Sequence, residues 1–369
     1  MKYLLLSTYP VKGTRNSGDD LIGKSVIKLL KHHLDANIKV DTVYVSDMKD
    51  AANLPTDYKA VLAPVLRPTV KGEEVVPKYR NEYLRFAVNN DIPFIVIGSG
   101  WKQYPGTYAQ SMNLEMDPSE KRMFKKLFNK KASSNIISSR DAYTENFIRN
   151  NGITSFGTTG DPALFDPEYL GLPARLPDRI KTIAVSMPHN RFHNGKTYEM
   201  AKELKKRYSC RVILTFHGYY KNLYTDLAKK WADGPIELID LSGDAEKLNF
   251  YNNIDLHVGF RLHAHIFFLR TRKPSLLLAE DGRATGHLAT IKGLGYSAAP
   301  KEAFELSKTM PLEADQRRRH FNRMAPPNDV YTLLEQEINS GYQTTKKSLQ
   351  IIDSLWRDKM KPLLELIPY

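Results

Sequence analysis

Residues 254–287 read IDLHVGFRLHAHIFFLRTRKPSLLLAEDGRATGH. IDLHVGF has the length and apolar content of a buried strand, and Gly259 near its end permits a tight turn. RLHAHIFFLRT then reads as a helix and KPSLLLAE as a second strand. A strand, turn, helix and strand in this order form the repeating piece of a parallel sheet covered on both faces. Arg261 and His263 fall just before or inside the first helical turn, at the carboxyl end of a strand, where ligands of such sheets bind. Backbone N–H groups and the helix dipole favour an anion there. An arginine adds a planar, permanent charge suited to phosphate or carboxylate, and a histidine can move a proton near neutral pH. The plainer reading ties Arg261 to a neighbouring carboxylate and leaves His263 in the core, and on these residues alone it carries more weight. His257 alternates with apolar residues and reads as packing. His263 and His265, two apart on a helix, do not share a face, so they make a poor metal pair. No H-E-x-x-H or paired-carboxylate spacing calls for a metal.

Working outward, the same rhythm fills the chain. KTIAVSMP, CRVILTFH and IELIDLS precede this segment as strands with helical stretches between them. Further upstream KYLLLST, IKVDTVYV, AVLAPVL, IPFIVIGSG and NIISSRD alternate with helices, and TSFGTTGDPALF reads as a strand and turn. LGLPARLPD, residues 170–178, has two prolines, a glycine and no period, and is the best linker. The sequence therefore predicts an α/β protein of two doubly wound, Rossmann-like domains facing a cleft: residues 1–172, residues 173–330, and a helical segment 331–369 that returns to the first domain. A last helix is expected over about residues 342–366.

Composition narrows the setting. Of 369 residues, 41% are hydrophobic and 26% charged, a soluble globular balance that excludes a disordered, collagen-like or coiled-coil chain. Lys plus Arg number 54 against 41 Asp plus Glu, a formal charge of +13, which favours anionic partners without choosing among them. One cysteine, Cys210, excludes an internal disulfide and suits a reducing compartment. No apolar run reaches the ~18 residues of a membrane span, and the N-terminal run stops at Pro10, too short for a signal peptide. A cytoplasmic protein is expected. The basic amphipathic stretch 121–131 (KRMFKKLFNKK) leaves peripheral contact with anionic headgroups open. Arg317-Arg318-Arg319-His320 reads as solvated, and the tyrosines of HGYYKNLYTDL (217–227) read either as packing or as a platform for a sugar ring.

Other strand ends carry polar loops. Thr14 to Asp20 (TRNSGDD) enters the first helix, with Asp19 or Asp20 as the expected cap. It is neither a G-x-G-x-x-G fingerprint nor a Walker A loop. Gly98-Ser99-Gly100 closes one strand, Ser139-Arg140-Asp141 another, and Asp161-Pro162-Ala163 makes a turn. In order, Asn16-x-Gly18-Asp19, Gly98-Ser99-Gly100, Ser139-Arg140-Asp141, Asp161-Pro162-Ala163-Leu164, Gly259-Phe260-Arg261-Leu262-His263-Ala264 and Asp281-Gly282-Arg283 resemble the polysaccharide pyruvyl transferase family over about residues 16–283.

That resemblance implies a fold like that of GT-B glycosyltransferases. It also implies transfer of pyruvate from phosphoenolpyruvate to a sugar as a ketal, with release of phosphate and no cofactor. It puts the donor in the second domain and the acceptor, a sugar or glycan either free or lipid-linked, toward the first. By matching position Arg261 and His263 serve the donor, with Arg140 or Arg283 as a further cation. His263 would deliver a proton to the donor's methylene carbon, and Asp19 would accept one from the attacking hydroxyl. Asn16, Gly18, Gly100 and His265 complete the expected substrate contacts. Three departures stand out: Ser99 replaces a usual glycine, His265 a usual apolar residue, and Arg283 a common lysine. Two other readings remain, a GT-B glycosyltransferase with a nucleotide-sugar donor and a non-catalytic polyanion-binding protein. No nucleic-acid recognition motif supports the last.

Overall fold

The computed structural model describes residues 1–9, 15–44, 54–64, 66–72, 79–130, 134–218, 223–300 and 328–369. Arg317 to His320, Lys131, Tyr219 and Tyr220 lie outside the described residues. Two six-stranded sheets, each wholly parallel, organise the chain. Strands β1 (Lys2–Ser7), β2 (Lys39–Tyr44), β3 (Val61–Pro64), β4 (Phe94–Ser99), β5 (Ile136–Ser139) and β6 (Gly157–Thr158) lie in the order β2-β1-β3-β4-β5-β6. Strands β7 (Thr182–Ser186), β8 (Arg211–Phe216), β9 (Glu237–Asp240), β10 (Leu256–Gly259), β11 (Ser275–Ala279) and β12 (Gly295–Ser297) lie in the order β12-β11-β10-β7-β8-β9. This second order is the doubly wound one, and it reverses between β7 and β10, where ligands of such sheets bind. The expected pair of Rossmann-like sheets is therefore observed.

The central strands are continuous apolar runs because helices cover both faces. All six residues of β4 and all five of β11 are buried. Along the β7–β10 ladder Gly259 pairs with Ser186 at the switch point. Gly259 has φ +149, and a Cβ there would stand 2.6 Å from Ser186 N and O, so only glycine fits. Helices α1 (Ser17–His33), α2 (Tyr79–Asn89), α3 (Tyr108–Asn113), α4 (Pro118–Phe128) and α5 (Ala142–Asn150) cover the first sheet. Helices α6 (Asn194–Tyr208), α7 (Leu223–Lys230), α8 (Leu262–Arg270) and α9 (Gly282–Ile291) cover the second.

Several local readings change. The stretch AEKLNFYNN is a 3-10 helix, Ala245–Asn253, and not an α-helix. β6 has two residues, because Gly157 at its start and Gly160 just beyond its end take positive φ. Helix α9 and strand β12 were not read from the sequence at all. The apolar side of α4 is engaged inside the protein: Phe124, Leu127 and Phe128 are buried in the first domain's core. The helix therefore offers a lipid surface only its lysines, with no apolar face to insert. Among the described residues no helix is long and apolar enough to cross a membrane.

The cores of the two domains meet. Leu21, Val26 and Leu29 of α1 share one apolar cluster with Ala264, Ile266 and Phe268 of α8. The last helices, Gln343–Leu355 and Lys361–Glu365, add Leu349, Ile352, Leu363 and Leu364 to it, and Tyr3 OH donates to Pro368 O at 2.7 Å. Each such leucine or isoleucine contributes about 1.5–3 kcal/mol on full burial. A buried ion pair reinforces the junction: Arg270 of α8 donates to Asp166, which Lys28 of α1 also reaches at 2.7 Å. On the other side of that shared core lies the cleft.

Candidate active site

The carboxyl ends of both sheets face one pocket, lined from the first domain by Asn16 and Asp19 and from the second by turns after β7, β8, β10 and β11. Its free volume is about 30 Å³, room for a water or two, so lining side chains must shift to admit a small molecule. Helix α1 delivers the first-domain wall. Asn16 is its cap, with Oδ1 accepting the Gly18 N–H at 3.1 Å, and not Asp19 or Asp20 as the sequence suggested. Both aspartates are thereby free to face the second domain. Asp20 Oδ2 accepts the Ala245 N–H at 2.7 Å, and Asp19 turns into the pocket.

Gly18 lies flat against His263. A Cβ at Gly18 would stand 2.5 Å from the ring's Nδ1 and 2.7 Å from Cγ. The imidazole is 12% exposed, with Nε2 3.6 Å from Asp161 Oδ2, and that nitrogen has no hydrogen-bond partner among the described residues. Asp161 also meets Arg140 Nη1 at 3.3 Å. Burial pushes the Asp161 carboxyl up, but His263 and Arg140 outweigh it and hold it at about 2. Gly100 is not a pocket residue. A Cβ there would stand 2.7 Å from Arg140 Cζ, so this glycine makes room for the guanidinium.

Arg261 caps α8 with extended backbone. Its N–H donates to Ser186 Oγ at 2.9 Å and its Nε to Met187 O at 2.8 Å. Nη1 lies 2.7 and 2.8 Å from the two ring nitrogens of His189. Burial, then the charge of Arg261, pushes His189 well below the ordinary histidine value, so this ring is neutral. Arg283 grips the cap of its own helix, with Nε 3.0 Å from Asp281 Oδ1 and Nη2 2.6 Å from Oδ2. Burial opposes ionisation of Asp281, but Arg283 outweighs it and holds the carboxyl at about 2.

Asp19 stands at the centre of these groups. Burial raises its pKa, and His263, Arg283, Arg140 and Arg261 pull it back. Three arginines and a histidine, from three separate segments, thus act on one carboxyl group. Sequence reasoning reached those four and Asp19, and it missed His189, His217 and Glu280. All three missed residues follow an apolar strand directly or within a turn, so position at a strand's carboxyl end was the available signal.

His265 lies elsewhere. It is fully buried, its Nδ1 2.7 Å from Ser275 Oγ, with its ring set edge-on against His287. It belongs to a chain of contacts behind the pocket: Arg261 N to Ser186 Oγ, Ser186 Oγ to His257 Nε2 at 2.8 Å, His257 Nδ1 to Ser275 Oγ at 2.8 Å, and so to His265. The backbone N–H can only donate. The arrangement leaving fewest groups unmet therefore passes each proton outward, with His257 carrying its own on Nδ1 and His265 on Nε2. Burial holds His257 at about 3 and, helped by His287, pushes His265 well below its ordinary value. The chain is neutral and fixes the turn that carries Arg261.

A search of curated proteins returned no match. Among solved structures, a UDP-GlcNAc 2-epimerase from Neisseria meningitidis bound to UDP-GlcNAc is 14% identical, covering 99% of this chain and 100% of that one, with a TM-score of 0.53. A glycosyltransferase from Rickettsia africae is 10% identical, covering 99% of this chain and 98% of that one, with a TM-score of 0.51. At such identities they share a fold, that of GT-B glycosyltransferases and epimerases, and nothing further follows from them. The sequence pattern of polysaccharide pyruvyl transferase, however, matches residues 16–282, a span that starts at the cap of α1 and ends at the first residue of α9. With more than two thirds of its length matched, the chain belongs to the polysaccharide pyruvyl transferase family.

Proposed function

We propose that the protein moves pyruvate from phosphoenolpyruvate to a sugar of a polysaccharide or glycan precursor, forming a ketal and releasing phosphate. The observation that carries this reading is the gathering of His263, Arg283 and Arg261 on the wall of one pocket, with Arg140 behind them and near enough to act on Asp19. A donor with a carboxylate and a phosphate on one small frame needs such a concentration of positive charge. The N-terminus of α8 adds its dipole on the same side.

His263 is the general acid. Its Nε2 lies 3.6 Å from Asp161 Oδ2 and has no other partner to release. Its proton passes to the methylene carbon of the donor, leaving positive charge at the central carbon. A sugar hydroxyl attacks that carbon and gives its proton to a carboxylate, for which Asp19 is the pocket's own candidate. The C–O bond to phosphate then breaks, a second hydroxyl closes the ketal, and its proton leaves with the phosphate. Positioned acid catalysis of this kind contributes a factor of about 10²–10⁴. The work is assigned to the cytoplasm, on a free or lipid-linked acceptor.

The test is phosphate release from phosphoenolpyruvate against galactosyl, mannosyl and N-acetylhexosaminyl acceptors, with the product weighed by mass spectrometry. His263→Ala should bind phosphoenolpyruvate and lose about a hundredfold or more in kcat. Arg261→Ala should lose donor affinity as well. Protection against thermal unfolding by a nucleotide sugar and not by phosphoenolpyruvate would replace this reading with glycosyl transfer. Salt-sensitive polyanion binding without phosphate release would make the protein a binder.

A further inference from the structure

Accepting phosphoenolpyruvate as donor, we propose that Lys102 is a phosphate-binding residue that the first domain lends to the pocket of the second. Lys102 follows β4, in the first domain, yet its neighbours in sequence lie along the first turn of α9. Gln103 O accepts the Gly282 N–H at 2.6 Å. A Cβ on Gly282 would stand 2.9 Å from the Trp101 ring and 3.2 Å from Gln103 N. Thr285 Oγ1 donates to Gly106 O at 2.5 Å. Lys102, between two of these contacts, is itself exposed, and its ammonium is close enough to Arg283 to feel that charge.

Among the described residues Lys102 makes no hydrogen bond and no ion pair. The carboxylates near it are engaged: Asp281 holds Arg283 through both oxygens, and Glu280 accepts the N–H groups of His189 and Asn190 at 2.9 and 3.0 Å. The charge of Arg283 is the largest influence on the ammonium and pushes its pKa down. Two cations held together from different domains, with local carboxylates already taken, form a site for an anion. A planar carboxylate suits the guanidinium fork of Arg261. A tetrahedral, doubly charged phosphate suits a point charge beside a second guanidinium. The part of the donor that departs would thus be held by both domains.

Lys102→Met keeps the stem and removes the charge, and Lys102→Arg restores it. The Michaelis constant for phosphoenolpyruvate and the inhibition constant for inorganic phosphate should both rise about ten- to a hundredfold in Lys102→Met. The acceptor's Michaelis constant and the melting temperature should hold, and Lys102→Arg should recover most of the loss. An unchanged phosphate inhibition constant overturns the proposal, and so does a rise confined to the acceptor. Calorimetric titration of wild type and Lys102→Met with inorganic phosphate alone separates this claim from the donor assignment. If wild type never releases phosphate from phosphoenolpyruvate, the function fails. The anion site stands if that titration still shows the ten- to hundredfold loss, and falls if it does not.

Discussion

Gly18→Ala places one methyl group on the inner side of α1, against the imidazole of His263, the proposed acid. The Cβ would stand 2.5–2.7 Å from three atoms of His263, where ordinary contact needs 3.4 Å or more. Ring or helix must therefore retreat by about 0.7–1 Å. The helix itself gains from the change, since alanine is favoured over glycine in a helix interior by up to ~1 kcal/mol. Crowding costs about 1–3 kcal/mol, so net stability should fall by no more than about 2 kcal/mol. Catalysis should suffer far more, because a misplacement of about 1 Å can cost a hundredfold. Continuous phosphate-release kinetics should show kcat down about a hundredfold, with the Michaelis constant for phosphoenolpyruvate within a few-fold of wild type. Urea unfolding on the same samples checks the fold. If Gly18→Ala turns over at close to the wild-type rate with its stability intact, then His263 does not need its present seat, and its assignment as the acid fails.

Asp19 sits where an anionic donor must come, with burial raising its pKa. Donor affinity should be fullest where Asp19 is protonated and should fall as pH rises through its pKa, while the later step that uses its carboxylate as base gains over the same range. The dissociation constant for phosphoenolpyruvate, measured over roughly pH 4–8, should climb in wild type and stay flatter in Asp19→Asn; equal slopes refute this. Asp166→Ala strands the buried Arg270 guanidinium and should cost about 3–5 kcal/mol in urea unfolding, and a loss under about 1 kcal/mol would deny the pair its role. Burial holds His257 and His287 at about 3, whereas unfolded histidines titrate near ~6.5. Below that value the unfolded chain binds more protons, so stability should fall as pH drops from about 6.5, by up to roughly 1.4 kcal/mol per pH unit for each ring. His287→Gln should lessen the slope, and an unchanged slope would mean that His287 is not buried neutral.

Strands were the legible part of the sequence, because a parallel sheet covered on both faces turns them into short apolar runs such as IPFIVIG and KPSLLLAE. Helix α9 escaped notice because GRATGHLATI has two glycines and no clear apolar stripe, although it carries Arg283. The donor motif was legible because Arg261 and His263 follow one strand directly. The role of Asn16 was hidden by the two aspartates after it, which look equally fit to cap a helix until the second domain is seen to claim them. His265 misled for the opposite reason. An imidazole in place of an apolar residue looks like a ligand, and only the partner Ser275 reveals an interior group held through Nδ1. Lys102 could not be found locally, since its significance depends on residues some 180 positions away.

The chain passes between the domains twice, through residues 159–181 and again on the way to the last helices, and both passages are pinned together at the far end of α8. Asp353 takes Arg272 through both oxygens at 2.8 Å and accepts the Gly171 N–H at 3.2 Å. A rotation of one domain against the other about that pin would move the pocket by an amount set by its distance from the pin. Helix α8 has the pin at its last turn and Arg261 and His263 at its first, about 13 Å away. At that radius a swing of about 5° shifts the imidazole relative to Gly18 by roughly 1 Å. A pin this far from the pocket would act as a lever, turning a few degrees of rotation into about an ångström where a ligand has to enter.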